Sequence, residues 1–189
     1  MLKTTLGLVL LLATIAAAYA EPVRYQLEPD KSSVGFTYRF DGTPIKGTMP
    51  VASAAMVIDF NALRASKIQI ALNANKARAG FIFATEAMRG ASVLNAAKHP
   101  HIRFVSTGVS QSGNGAVITG MITIRGVSRP MTLLANFYRQ KGSDPNDLAD
   151  LTILLTGSVS RGAFGAAGYP NLVGDRIDLR IIAGIRRLK

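Results

Sequence analysis

Apolar and polar residues alternate along most of the chain, which is the pattern of β-strands with one buried face. Residues 32–40 place Val34, Phe36 and Phe40 on one face, and residues 177–186 alternate most regularly. Further strands are predicted over residues 45–51, 54–60, 68–72, 102–104, 117–124, 131–138 and 151–161. The first two of these form either one long bent strand or two strands broken near Pro50.

The predicted strands are joined by short turns. Residues 112–115 (SGNG) are a strong hairpin signal, and turns are also predicted at residues 41–44 and 126–130. About eight strands in this arrangement predict an all-β fold, either a closed antiparallel up-and-down barrel or a sandwich.

Several strands carry apolar residues on both faces. Ile118, Ile122 and Ile124 alternate with Val117 and Met121. The second apolar face needs a partner, which is another layer, the surface of a homodimer or a bound lipid. An eight-stranded barrel either packs its interior shut or holds one small ligand there.

Residues 78–98 are rich in Ala and favour a helix instead of a strand. Thr85 is the predicted N-cap, with Glu86 in the first turn, which places a short helical segment near residues 84–92.

The first twenty residues have the layout of a secretory signal peptide. Lys3 precedes an apolar stretch at residues 6–18, and Ala18-Tyr19-Ala20 fits the small-x-small cleavage rule. We therefore expect cleavage after Ala20, a single domain over residues 21–189, and a periplasmic or secreted protein.

Composition removes several kinds of chemistry. The chain has no Cys, which excludes a thiolate metal site, an Fe–S cluster and a Cys nucleophile. It has no Trp, and its two His are too few for a three-His metal centre. Lys and Arg total 22 against 11 Asp and Glu, giving a net charge of +11. These charges form no dense stripe with stacking aromatics, so we expect no nucleic-acid partner. The basic charge favours either transient contact with an anionic membrane surface or solubility alone.

Few residues form a catalytic or metal-binding pattern. His99 and His101 lack an obvious third metal ligand, and Asp144, Asp147 and Asp150 are spaced too widely for a calcium loop. No Gly-x-Ser-x-Gly elbow is present. The sequence therefore predicts no catalytic residue, no metal site and no cofactor.

Five motifs resemble the YceI-like family of secreted, lipocalin-like barrels that bind polyisoprenoid lipids. They lie, in the order of the family, at residues 25–30, 92–107, 120–133, 160–165 and 173–179. The strongest is residues 120–133 (GMITIRGVSRPMTL), which is similar to the family pattern GxLTixGvTkPvtL. The likeness covers nearly all of residues 24–186, and it implies a lipocalin-like eight-stranded barrel.

The chain departs from the family at polar positions. Arg39-Phe40 stands where the family has a His, and Phe83-Ala84-Thr85-Glu86-Ala87 replaces an Arg-Asp-x-His cluster. The resemblance places these residues near the mouth of the pocket. We therefore expect a less polar mouth and a ligand with a small or absent charged head.

The resemblance implies a lipid-binding protein that holds an isoprenoid or similar apolar chain in the barrel interior. The alternative is an enzyme, a hydrolase or isomerase, that acts on a lipid-like substrate in the same cavity. Residues 78–97 would be either a lid over the cavity or a permanent plug. The predicted ligand-binding residues of the cavity and mouth are Val34, Phe36, Phe40, Ile70, Phe81, Phe83, Met88, Phe104, Ile122, Leu133, Ile153 and Phe164.

Overall fold

The computed structural model describes residues 23–139, 142–144 and 147–188. It contains one α-helix, α1, at Ile82–Arg89. The strands are β1 Arg24–Leu27, β2 Ser33–Phe40, β3 Thr43–Thr48, β4 Val51–Val57, β5 Lys67–Asn73, β6 His101–Ser112, β7 Gly115–Ile124, β8 Val127–Tyr138, β9 Asp150–Ser160 and β10 Arg176–Arg187.

All of the strands belong to one antiparallel sheet that closes on itself. The order runs β1-β4-β5-β6-β7-β8-β9-β10-β2-β3, and β10 also pairs with β1 through Tyr25↔Arg187 and Leu27↔Ile185. Closure leaves the barrel without a free edge through most of its height, so its backbone groups are paired within the sheet. The all-β, up-and-down barrel predicted from the sequence is confirmed.

Ten strands fill eight positions in the barrel because two positions are interrupted. A 3₁₀ helix at Pro29–Lys31 separates β1 from β2, and both of these strands pair with β10. Residues 49–50 separate β3 from β4, which is the break predicted near Pro50. A β-bulge between Ser106 and Gly108 shifts the alternation of β6, so that Ile102 and Phe104 before it and Val109 after it are all buried.

The helix differs in detail from the prediction. It begins at Ile82 and ends at Arg89, so the bounds 84–92 were displaced. Thr85 is not its N-cap: the position belongs to Phe81, and the Thr85 hydroxyl accepts a hydrogen bond of 2.9 Å from the backbone N–H of Ala79. The Thr85 hydroxyl is therefore engaged by the backbone of Ala79 and does not serve as the helix cap that the local sequence predicts.

The turn predicted at residues 126–130 was also too long. Arg125 and Gly126 alone form it, with φ of 52° and 79°, and β8 begins at Val127. Two successive positive φ values match the right-handed twist of a hairpin, so the strands pair immediately after them. Pro130 lies within β8 opposite Met121.

Connections gather at two ends of the barrel. The helix end holds residues 41–42, 74–100, 125–126 and 161–175, and the opposite end holds residues 58–66 and 113–114 and the described residues 139, 142–144 and 147–149. The predicted signal peptide, residues 1–20, lies outside the described residues. None of the described helices has the length and apolar character needed to cross a bilayer.

Candidate functional site

A cavity of about 980 Å³ runs through the barrel interior from the helix end, and its lining reaches Leu27, Met56 and Ile58 toward the opposite end. Its volume is at the upper limit of the roughly 300–1,000 Å³ of small-molecule sites. Alternate residues of the strands form its wall, because every second side chain of a barrel strand points inward. The inward-pointing residues are mostly apolar, so the wall is mainly aliphatic and aromatic.

Aromatic side chains fill the barrel at the opposite end. The Tyr25 and Phe60 ring centroids are 5.8 Å apart, and those of Phe60 and Phe137 are 5.5 Å apart, both edge to face. The Tyr25 hydroxyl donates to the Leu148 carbonyl at 2.9 Å, and burial raises the pKa of this phenol. None of these three rings lines the cavity; they pack against the buried core beyond its inner end, and we call them the aromatic floor.

Three segments of the helix end surround the mouth of the cavity. The backbone N–H of Asp41 donates to the Leu172 carbonyl at 2.8 Å, and that of Gly168 donates to the Ser92 carbonyl at 2.9 Å. Phe40 meets Phe81 edge to face at 5.6 Å. The β2–β3 turn, α1 with the residues after it, and the β9–β10 connection therefore form one continuous rim.

Two cavity-facing rings lie directly over glycines of the neighbouring strand. A Cβ on Gly120 would lie 2.5 Å from Phe104 Cζ, and one on Gly47 would overlap the ring of Phe36. Both phenylalanines line the cavity. The missing side chains let these rings lie against the wall, which keeps the interior open.

Arg161 is the charged group of the wall that is most enclosed, with 8% of its surface exposed. Its guanidinium donates to four backbone carbonyls of the β9–β10 connection, at distances from 2.6 to 3.1 Å, which are those of Ala166, Gly168, Val173 and Gly174. Burial lowers the pKa of Arg161, an effect that Asp175 opposes. Arg161 thus holds one side of the mouth in place.

Other polar groups of the wall are also engaged. The Tyr38 hydroxyl donates to the Ala79 carbonyl at 2.8 Å, and the Ser32 hydroxyl donates to the Glu28 carbonyl at 2.6 Å. Among the residues that the structure describes, no buried side-chain nitrogen or oxygen lacks a hydrogen-bond partner. The wall is thus suited to bury an apolar molecule.

The structure brings the predicted cavity residues together with a single exception. The predicted residues that line the cavity are Val34, Phe36, Phe40, Ile70, Phe81, Phe83, Met88, Phe104, Ile122, Leu133 and Ile153. Their contact with a ligand stays a prediction.

Phe164 was wrongly placed in the cavity wall. It belongs to a 3₁₀ helix at Gly162–Phe164 beyond the end of β9, and its side chain is buried in the packed core. The alternation of β9 stops at Ser160, so the inward direction could not be extended to residue 164.

Sequence reasoning missed several residues of the cavity. Leu155 and Leu179 could have been found by extending the alternation of β9 and β10. Tyr169 and Leu172 lie in the irregular β9–β10 connection, where no periodicity predicts the direction of a side chain.

Both histidines and two of the aspartates considered as ligands have contacts within the protein. His101 pairs with Asn73 in the sheet, and His99 lies against Gly126. Asp147 accepts a hydrogen bond from the backbone N–H of Ala149, and Asp150 pairs with Arg186 at 2.8 Å. Within residues 23–139, 142–144 and 147–188, no three His, Asp or Glu side chains are grouped to hold a metal ion.

Comparisons with known proteins agree with this architecture. Protein YceI of Salmonella arizonae is 32% identical over 148 residues, which are 77% of each chain. The crystal structure of BcnA from Burkholderia cenocepacia superposes with a TM-score of 0.74 at 18% identity, covering 84% of this chain and 99% of that one. A polyisoprenoid-binding domain from Saccharophagus degradans, implicated in plant cell wall breakdown, has a TM-score of 0.63 at 10% identity, covering 88% and 99%. The model of the YceI-like domain matches residues 25–183, and the chain therefore belongs to the YceI-like family.

Proposed function

We propose that this protein holds an isoprenoid or similar long apolar chain in its barrel, as a periplasmic carrier whose first twenty residues are a cleaved signal peptide. The observation that carries the proposal is the cavity of about 980 Å³, apolar along its wall and closed by a floor of aromatic rings. Such a blind, apolar cavity accepts the end of a chain and leaves the other end at the mouth.

The physical chemistry of the wall supports tight binding without a catalytic group. Each methylene transferred from water to an apolar site contributes about 0.8 kcal/mol. Apolar cavities hold water poorly, so little ordered water has to be displaced. The lack of a charged cluster at Phe83-Ala84-Thr85 favours a ligand with a small or absent charged head.

Family membership and one neighbour in structure support the same class of ligand. The Saccharophagus degradans domain with this fold is described as polyisoprenoid-binding. The enzyme alternative has less support, because Ser32, Tyr38 and Arg161 of the wall already use their polar atoms in hydrogen bonds to the protein backbone.

Lipid extraction and native mass spectrometry of the purified protein test the proposal. We expect a long-chain apolar lipid, about one per protein, and no turnover of the lipid during incubation. Absence of any co-purifying or added lipid in the cavity would contradict the proposal, and conversion of the lipid to a product would favour the enzyme.

A matched pair of variants on β5 ties the ligand to the cavity. Ile70→Asp puts a carboxylate into the wall, where burial beside a lipid chain is costly, so we expect most of the bound lipid to be lost. Gln69→Asp puts the same charge on the outward, exposed face of the same strand and should retain the lipid. Equal lipid content in the two folded variants would place the ligand elsewhere.

A further inference from the structure

Four exposed apolar side chains lie at the mouth of the cavity and a fifth, Ile82, lies beside them on the outer side of α1; together they form what we call the apolar rim: Phe81, Ile82, Phe83, Tyr169 and Leu172. Phe83 and Ile82, with 81% and 72% of their surface exposed, are the most exposed large apolar side chains in the described part of the chain. Exposed apolar groups gathered in one patch indicate a contact surface.

The rim comes from two parts of the chain that meet at the mouth. Phe81 and Phe83 line the cavity from α1, and Tyr169 and Leu172 line it from the β9–β10 connection. The side chain of Ile82 faces away from the cavity, into a groove on the outer side of α1. The surface is thus continuous with the outlet of the cavity.

Basic side chains border the same surface. Arg78 and Arg89 line the outer groove together with Phe81 and Ile82. Arg89 pairs with Glu86 at 3.2 Å and also donates to the Ala77 carbonyl, whereas Arg78 has no ion pair with a residue that the structure describes. Arg78 is thus a cation, without an ion pair among the described residues, that lies beside exposed apolar groups. This combination fits a partner with an apolar interior and an anionic surface.

Both ends of the described chain lie away from this surface. The N–H of Ile58 donates to the Val23 carbonyl, and Arg187 pairs with Tyr25, whose ring belongs to the cavity floor. The described chain therefore begins and stops at the opposite end of the barrel, and none of its segments covers the rim.

We propose that the apolar rim docks on an anionic lipid bilayer, with Ile82 and Phe83 entering the interface and Arg78 facing lipid headgroups. The proposal rests on the proposed function, since a bilayer is where a carrier takes up or delivers an apolar chain. Docking places the outlet of the cavity against the membrane, so the chain moves between bilayer and barrel without crossing water. Aromatic and aliphatic groups flanked by Lys or Arg bind bilayer interfaces by this combination of burial and charge.

Fluorescence provides a direct test because the chain has no Trp. Ile82→Trp introduces one probe at the rim. Leu134→Trp introduces one on the outer wall of β8, at a side chain that is 53% exposed. Leu134 lies seven residues from the start of β8 at the helix end, about 23 Å along the strand at roughly 3.3 Å per residue. With vesicles containing phosphatidylglycerol we expect a blue shift for Ile82→Trp only, and equal shifts would overturn the proposal.

Vesicle sedimentation measures how much the rim contributes. Ile82→Asp should bind phosphatidylglycerol vesicles about tenfold more weakly, because it removes an apolar side chain that docking would bury and adds a charge that the anionic surface repels. Arg78→Gln should weaken binding to these vesicles and leave the weaker binding to phosphatidylcholine vesicles unchanged. Leu134→Asp is the control and should bind as the wild type does. Wild-type affinity in Ile82→Asp would overturn the proposal.

Lipid content and oligomeric state, measured on the same preparations, separate the outcomes. Ile82 and Arg78 do not line the cavity, so both variants should keep their lipid. A wild type that holds lipid and does not bind vesicles overturns docking and leaves the proposed function intact. A wild type that docks through Ile82 without holding lipid supports docking and contradicts the proposed function. A dimer that Ile82→Asp dissociates, with vesicle binding unchanged, would make the rim a surface for a second copy and overturn the proposal.

Discussion

Two phenylalanine rings show how single residues keep the barrel interior open. Phe104 lies over Gly120 and Phe36 lies over Gly47, each across a pair of neighbouring strands. A side chain at either glycine would push the ring inward and reduce the space that the wall now leaves free.

The Gly120→Ala variant tests this arrangement. Its Cβ would lie 2.5 Å from both the Phe104 ring and the Val105 carbonyl oxygen, and overpacking of this kind costs about 1–3 kcal/mol. We expect the free energy of unfolding in urea to fall by that amount. The control, Gly174→Ala, meets only ordinary contacts and should cost far less. A more stable Gly120→Ala, as expected where only chain entropy changes, would contradict the arrangement.

Arg161 holds the β9–β10 connection through four carbonyl oxygens, and this makes it a second test at the residue scale. Arg161→Met removes every donor and leaves buried acceptors without partners, so we expect a loss of about 3 kcal/mol or more in unfolding free energy. Arg161→Lys should recover part of it. Arg176→Met, at an exposed arginine, is the control. Equal stability of Arg161→Met and the wild type would show that the connection is held by other contacts.

Individual cavity residues could be predicted where a strand fixes the direction of the side chain. Ile122 and Leu133 face inward because alternation in β7 and β8 has no interruption near them. Phe164 was misplaced because β9 had already ended, and Tyr169 was missed because its connection has no period. The buried Arg161 could not be found either, since its carbonyl partners are spread along residues 166–174.

At the scale of elements, the β9–β10 connection also depends on Asp175. Its carboxylate accepts a hydrogen bond of 2.8 Å from the backbone N–H of Gly162. The hydrogen bond with the Ser160 hydroxyl is the largest cause that lowers the pKa of Asp175, followed by that with Gly162. The folded protein thus favours the ionised carboxylate.

This lowered pKa predicts how stability depends on pH. A carboxyl group with a folded pKa below its unfolded value of about 3.9 stabilises the protein fully above that pH and loses the effect as the pH falls through the folded pKa. Asp175→Asn should be less stable than the wild type at neutral pH, and the difference should shrink in acid. Denaturation at several pH values measures it, with Asp30→Asn, at an exposed carboxylate, as the control. A constant difference across the acid range would contradict the assignment.

Helix α1 is anchored by hydrogen bonds at Thr85 and Arg89 and is exposed at its first two residues. Arg89 donates to the Ala77 carbonyl and Thr85 accepts from Ala79, whereas Ile82 and Phe83 are exposed. As a lid, α1 should exchange its amide hydrogens quickly without lipid and slowly with it. Hydrogen exchange followed by mass spectrometry measures this, with β7 as the internal reference. Equal, strong protection in both states would make the segment a plug.

The elements differ in how well local sequence predicted them. Long strands such as β10 have a clear period of two, and β6, β7 and β8 pair with their sequence neighbours through two-residue turns. The helix was displaced because Thr85 forms a tertiary hydrogen bond, which outweighed its preference for the N-cap position. The bulge between Ser106 and Gly108, where Thr107 is the inserted residue, leaves no local signal in the sequence.

For the whole molecule, the barrel combines an open interior with an end that is packed with aromatic rings. Closure between β1 and β10 is reinforced by Arg186, which pairs with Glu28 at 2.7 Å and with Asp150 at 2.8 Å. The aromatic floor depends on contacts between Tyr25, Phe60 and Phe137, which are far apart in the sequence. The periodicity of single strands does not predict such contacts. Topology could therefore be predicted from sequence, whereas the position of the floor required the structure.

A crystal structure of the protein purified with its lipid tests the central claim most directly. We predict continuous density for an apolar chain that runs from the apolar rim into the cavity and stops before the aromatic floor, near lining residues such as Ile58. Density for lipid only on the outer wall of the barrel, with the cavity filled by water, would contradict the account.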